Sequence, residues 1–204
     1  MTQPVVQWAP LTHMPLAAVY TRLGYRAGYS DKTVIQAEYE ALLKHWVATT
    51  RVRIFYLFQP FGVENGICRL GAHAFASRLI AERFARASRT LLMAASADPA
   101  DFEKIQKFSE AGDLKTSVVL DAVLSEKVDF ALDFLETELK VQFRREGQLL
   151  GARLSCGYGD FKLENQQVLF ETLGLANYGI TLDERFILHP EKTVTALAPI
   201  YASN

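Results

Sequence analysis

Two rhythms of apolar and polar positions run along this chain, one with helical spacing and one with the alternating or unbroken pattern of strands. Val34, Ala37, Ala41 and Leu42 follow the polar pair Ser30 and Asp31, which predicts a capped helix over Lys32–Ala48. "RVRIFYLFQPF" is β-branched and aromatic and stops at Pro60, predicting a strand over Arg51–Gln59. Phe75, Leu79 and Phe84, with Arg and Glu on the other side, predict an amphipathic helix within residues 73–87. "RTLLMAASA" predicts a buried strand over Arg89–Ala97.

Asp98 and Pro99 open a helix reaching about Ala111, and Gly112 and Asp113 restart the chain in a longer one reaching about Arg145. In it Val128, Ala131, Leu132, Leu135 and Leu139 form an apolar stripe, which puts Lys127, Asp129, Asp133, Glu136 and Lys140 off that stripe on a surface face. Asp121 interrupts the otherwise apolar "SVVLDAVL", so its carboxylate needs a partner. A strand over Leu149–Ser155, a helix over Leu163–Leu173 and two strands, "ITLDERFIL" and "TVTALAPIY", joined at His189 and Pro190 complete the pattern. Strand pairs without regular strand–helix–strand alternation predict an α+β fold.

At 204 residues, 50% hydrophobic and 22% charged, the chain has the composition of a folded globular protein and the length of one compact unit. A net charge of -1 supplies no long-range field to gather phosphate backbones, so nucleic acid is not expected as the main partner. The opening segment lacks a signal-peptide layout and no apolar run is long enough to span a bilayer, so no membrane role is expected. Cys68 and Cys156 form no CxxC pair, which argues against thiolate zinc and for a reduced, cytoplasmic setting. Walker, nucleophile-elbow and HExxH motifs are absent, and His13, His45, His73 and His189 are too scattered to share a metal ion.

What remains is "RLSCGYGD", Arg153–Asp160, at the junction between a predicted strand and the helix beginning near Leu163. A guanidinium pairs with a carboxylate, glycines let backbone N–H groups approach a ligand, and an aromatic ring suits a flat heterocycle. Arg153, Gly157 and Tyr158 supply those three elements. Spacing alone equally describes a turn at Gly157 and Gly159, with Asp160 capping the next helix and Arg153 solvated. Cys156 reads as a small hydrophobe rather than a nucleophile.

This stretch, continued as "FKLENQQVLFETL" and then "NYGITLDERFILHPEKTVTALAPI", resembles the activation domain of cobalamin-dependent methionine synthase in its stand-alone form. "RLGYR" and "GDLKTSVVLDAVLSEKVDFALDFLETEL" resemble further family segments, and an arginine, a variable trio, then Gly-Tyr is matched by Arg153, Gly157 and Tyr158. The resemblance implies a twisted, mostly antiparallel sheet flanked by helices with one long central helix. It implies S-adenosylmethionine held by Arg153, Cys156, Gly157 and Tyr158, with Asp31 the candidate for the ligand's amino group. It also implies cobalamin carried by a partner methyltransferase or corrinoid protein, a flavodoxin-like reductase as electron donor, and a component of methionine synthase activity rather than a complete enzyme. The residue before the motif glycine is often proline in that family and is Cys156 here.

Overall fold

The computed structural model describes residues 3–25 and 34–202. The chain begins with strand β1 (Val5–Trp8) and helices α1 (Ala17–Arg22) and α2 (Val34–Thr49). The predicted start of α2 at Lys32 lies outside the described residues. Strand β2 (Val52–Glu64) runs past the predicted stop at Pro60, whose carbonyl still accepts from Gly71 N at 3.3 Å. It ends at Asn65 and Gly66, both in left-handed backbone (φ 51° and 78°), the geometry that turns a tight hairpin into β3 (Ile67–Leu70).

The predicted helix over residues 73–87 is a strand first. β4 (His73–Ala76) pairs with β3, burying Phe75, and only then does helix α3 (Arg78–Arg83) begin behind Ser77. Phe75 and Leu79 do share an interior; hydrophobic spacing did not reveal that a strand and a helix deliver them to it.

β5 (Arg89–Ala97) fills its predicted span, followed by α4 (Pro99–Glu110) and the 32-residue α5 (Leu114–Arg145). β6 (Gln148–Leu150) is shorter than the strand predicted over Leu149–Ser155. A Cβ at Gly151 would stand 2.7 Å from Pro199 Cγ, so the backbone passes its neighbour as glycine only; pairing resumes between Leu154 and Leu197. A turn of 3₁₀ helix (Leu163–Asn165) leads into α6 (Gln166–Thr172). The last two predicted strands do not form one hairpin. Thr181–Leu182 (β7) and Leu188–His189 (β8) pair with each other, while β9 (Thr193–Ala202) enters the main sheet between β5 and β6.

The main sheet has the order β4-β3-β2-β5-β9-β6, with β1 also on β2, and every pair is antiparallel. β5 is central and buried at every position except Arg89, because helices cover both faces. Its residues alternate between two cores. Leu91, Met93 and Ala95 join Val128, Ala131, Leu132, Leu135 and Leu139 of α5; Leu92 and Ala94 join Ile80, Phe84, Leu169 and Leu173. The apolar stripe of α5 is buried as its spacing predicts.

Two charged residues expected on the surface of α5 lie inside. Lys127 is 1% exposed, and its ammonium donates to Val47 O (2.6 Å), Thr50 O and Thr50 Oγ1, closing the carbonyl end of α2. Burial pushes its pKa down to about 8, with Asp101 opposing. Glu136, the other, belongs to the site below. Asp121 finds its partner in Lys192, at 2.7 Å.

Candidate functional site

The segment that returns from α5 to β9 carries the arginine–glycine–tyrosine motif. Leu154 points into the α3/α6 core, and Arg153, its neighbour in extended backbone, reaches α5 instead. Arg153 Nη1 donates to Asp133 Oδ1 (2.5 Å) and Glu136 Oε1 (2.8 Å), and Glu136 Oε2 accepts from Lys140 Nζ at 2.9 Å. The Glu136 side chain is 8% exposed, against 57% for Asp133. Burial works against the charge on Arg153, but its bonds to Glu136 and Asp133 outweigh that penalty and hold the guanidinium above its usual range.

One turn earlier, partial desolvation raises the Asp129 carboxyl; Arg153 pulls against it, and Glu126 and Asp133 add repulsion. Glu126 is itself paired with Arg22 of α1 at 2.6 Å. Glu126, Asp129, Asp133 and Glu136 thus line one face of α5 at spacings of three and four, met by arginines from α1 and from the motif. The spacing of the carboxylates was visible in the sequence. Their cations, from positions 22 and 153, were not.

Beyond Arg153 the chain makes a compact turn. Gly157 N–H donates to Phe161 O (2.7 Å) and Phe161 N–H to Tyr158 O (3.0 Å), with Gly157 and Gly159 at φ 91° and 60°. Both conformations favour glycine. Phe161 is fully buried against Phe75, ring centroids 5.4 Å apart, while Tyr158 stands 66% exposed. The space beside Gly157 is open: an added Cβ would meet nothing within 4 Å. Cys156 packs against the α3/α6 core, and burial pushes its thiol up to about 12, which makes it an inert apolar residue.

Asp160 departs from its expected role. It does not cap the helical turn that follows, which begins without a side-chain cap; it reaches back to α3, accepting from Ser77 Oγ, Arg78 N and Leu79 N. Of the motif residues, then, Arg153 joins the carboxylates of α5, Cys156 packs against the opposite core, and Gly157 and Tyr158 face solvent. Among the described residues no hydrogen bond joins Arg153 to Tyr158. Asp31 lies outside the described residues, and no group of three metal-ligating side chains occurs among those described. A groove of about 810 Å³ lies between β1, β2 and the C-terminal half of α5, bordered by Trp8, Tyr56, Phe134, Glu138 and Arg145. Arg153 and the turn do not line it.

No family model and no curated protein matches the sequence. Among solved structures, the crystal structure of the MetH reactivation domain bound to AdoHcy superposes with a TM-score of 0.70, covering 97% of this chain and 78% of that one, at 12% identity. The fold is that of the MetH reactivation domain. The antiparallel sheet, the flanking helices and the 32-residue α5 are its shared architecture. At 12% identity the MetH likeness is one of fold, and any functional reading rests on the side chains around Arg153. Among the described residues no helix is long and apolar enough to cross a membrane.

Proposed function

We propose that this chain is an S-adenosylmethionine-binding reactivation module that acts in trans on a cobalamin-dependent methyltransferase. The observation that carries the reading is Arg153, a permanently charged guanidinium held on α5 and followed by a glycine turn with an exposed tyrosine, in the fold of a domain solved with AdoHcy bound. Nη1 makes both bonds to Asp133 and Glu136, and the remaining edge of the guanidinium is the group for a ligand carboxylate. Gly157 lets the ligand approach the backbone, and Tyr158 offers a ring to its purine. Cys156 contributes packing beneath the turn. Asp31 is the candidate partner of the ligand's amino group.

In this reading the protein's task is positioning. The corrinoid, carried by a partner, supplies the nucleophile for the sulfonium methyl once a flavodoxin-like reductase has provided an electron. The test is calorimetry with S-adenosylmethionine: the wild type binds, and Arg153→Ala weakens binding by about 1.5–3 kcal/mol, roughly tenfold to over a hundredfold. Absence of binding by the wild type at about 1 mM ligand would remove the proposal.

A second reading has its own observation. Arg153 already faces two carboxylates, which compete with a ligand's carboxylate for the same cation. A protein that docks on a corrinoid protein or its reductase without the methyl donor would keep such a closed pair. Capture of a corrinoid protein equally by wild type and Arg153→Ala, with no response to S-adenosylmethionine, would favour it.

A further inference from the structure

The turn that carries Gly157 and Tyr158 is held at two points. From inside, Phe161 anchors it in the α3/α6 core. From outside, the Asp160 carboxylate spans 80 or more positions of sequence to the start of α3: Oδ1 accepts from Ser77 Oγ at 2.9 Å and from Leu79 N at 3.1 Å, and Oδ2 from Arg78 N at 2.6 Å. Ser77 Oγ meanwhile accepts from Ile80 N at 3.2 Å. The first three N–H groups of α3 are thereby divided between a local cap and a carboxylate from the turn. Gly159 completes the docking, since a Cβ there would come within 3.0 Å of Leu79 Cδ2.

A short helix normally finds such caps next door. Ser77 serves Ile80 N alone, and Asp160, from the turn, serves Arg78 N and Leu79 N, so the bonds that cap α3 are the same bonds that hold the turn. What Asp160 fixes is the other partner: with Phe161 buried behind it and Gly159 against Leu79, the turn is held in one place while Gly157 and Tyr158 stay exposed. The three accepted bonds also hold the Asp160 carboxyl below its usual range, Leu79 N–H first, so the carboxylate stays charged down to acidic pH.

We propose that Asp160 is a positioning residue: by clamping the turn to the N-terminus of α3 it sets the Gly157–Tyr158 surface on which S-adenosylmethionine rests. The ligand half of this statement rests on the function proposed above; the clamp itself does not.

The experiment separates clamp from cap with two variants of the full chain, Asp160→Ala and the double variant Ser77→Asp/Asp160→Ala, in which the new carboxylate caps α3 locally without touching the turn. Three readouts are taken: the melting temperature, amide exchange at Gly157 and Phe161, and affinity for S-adenosylhomocysteine. Asp160→Ala is expected to speed exchange at both amides and to weaken the ligand by about an order of magnitude. The double variant is expected to regain melting temperature but neither slow exchange nor affinity. Recovery of all three would show that Asp160 only stabilises α3, and unchanged exchange in Asp160→Ala would likewise overturn the clamp. If the wild type binds no ligand, the function proposed above fails while amide exchange still decides the clamp. If exchange quickens and affinity holds, the ligand half of the proposal is wrong.

Discussion

Replacing Arg153 by alanine should destabilise the protein, whatever its ligand, because Glu136 would be left inside the fold with Lys140 as its partner. The Glu136 side chain is 8% exposed, so its bond from Arg153 belongs with charge-assisted buried hydrogen bonds, about 1.5–3 kcal/mol. The Asp133 arm is 57% exposed and adds no more than about 0.5 kcal/mol. Lys140 Nζ stays at 2.9 Å from Glu136 and offsets part of the loss, leaving a net cost of about 2 kcal/mol. For a chain of this length that lowers the melting temperature by about 4–8 °C. The assay is a double-mutant cycle of Arg153→Ala and Glu136→Gln followed by urea unfolding. The coupling should be about 1–2 kcal/mol and survive added salt, since a buried pair is little screened. A coupling below about 0.5 kcal/mol, or one abolished by salt, would place this pair among ordinary surface ion pairs and refute the reasoning.

Two further predictions follow from buried titratable groups. The folded pKa of Lys127, about 8, lies below its unfolded value, so between them the unfolded chain binds the proton that the folded chain has released and stability rises with pH. From pH 8 upward toward pH 10 the wild type should therefore gain about 1–2 kcal/mol relative to Lys127→Met, after discounting for solvent screening; urea midpoints that move in parallel would contradict it. The half-buried Cys156 thiol, pushed up to about 12, should be alkylated by iodoacetamide at pH 8 much more slowly than in the urea-unfolded chain, as followed by mass spectrometry. Rapid labelling of the native protein would refute the burial argument.

Where a single local force decided the structure, the sequence was readable. β5 is an unbroken apolar run of strand length, and α5 carries Asp113 as its cap and a stripe that returns every three or four residues. The errors arose where distant partners intervene. Phe75 and Leu79 fit a helix until β3 claims His73–Ala76 by pairing, and Pro60 ends a strand only if its neighbour needs an N–H at that position. Lys127 had every mark of a surface residue, because the carbonyls that bind it lie 77 and 80 positions away. The candidate site shows the same division. Arg153, Gly157 and Tyr158 were legible as a motif, whereas Asp133, Glu136 and the reach of Asp160 to α3 exist only once the chain has folded.

The placement of β9 between β5 and β6 sets a timetable for biosynthesis. Strands β1 to β5 can pair as they leave the ribosome, but the buried central strand β5 keeps one edge open until β9, the last strand of the sheet to be made, arrives about a hundred residues later. During that interval Leu91, Leu92 and Met93 border an unpaired edge, the condition under which nascent chains aggregate. The motif lies on the same late segment: Leu154 pairs with Leu197, so the surface around Arg153 cannot be complete until β9 has been made. A nascent chain that stalls before β9 therefore lacks both a closed sheet and the proposed binding surface, and quality control that recognises the open edge of β5 would remove inactive molecules by the same feature.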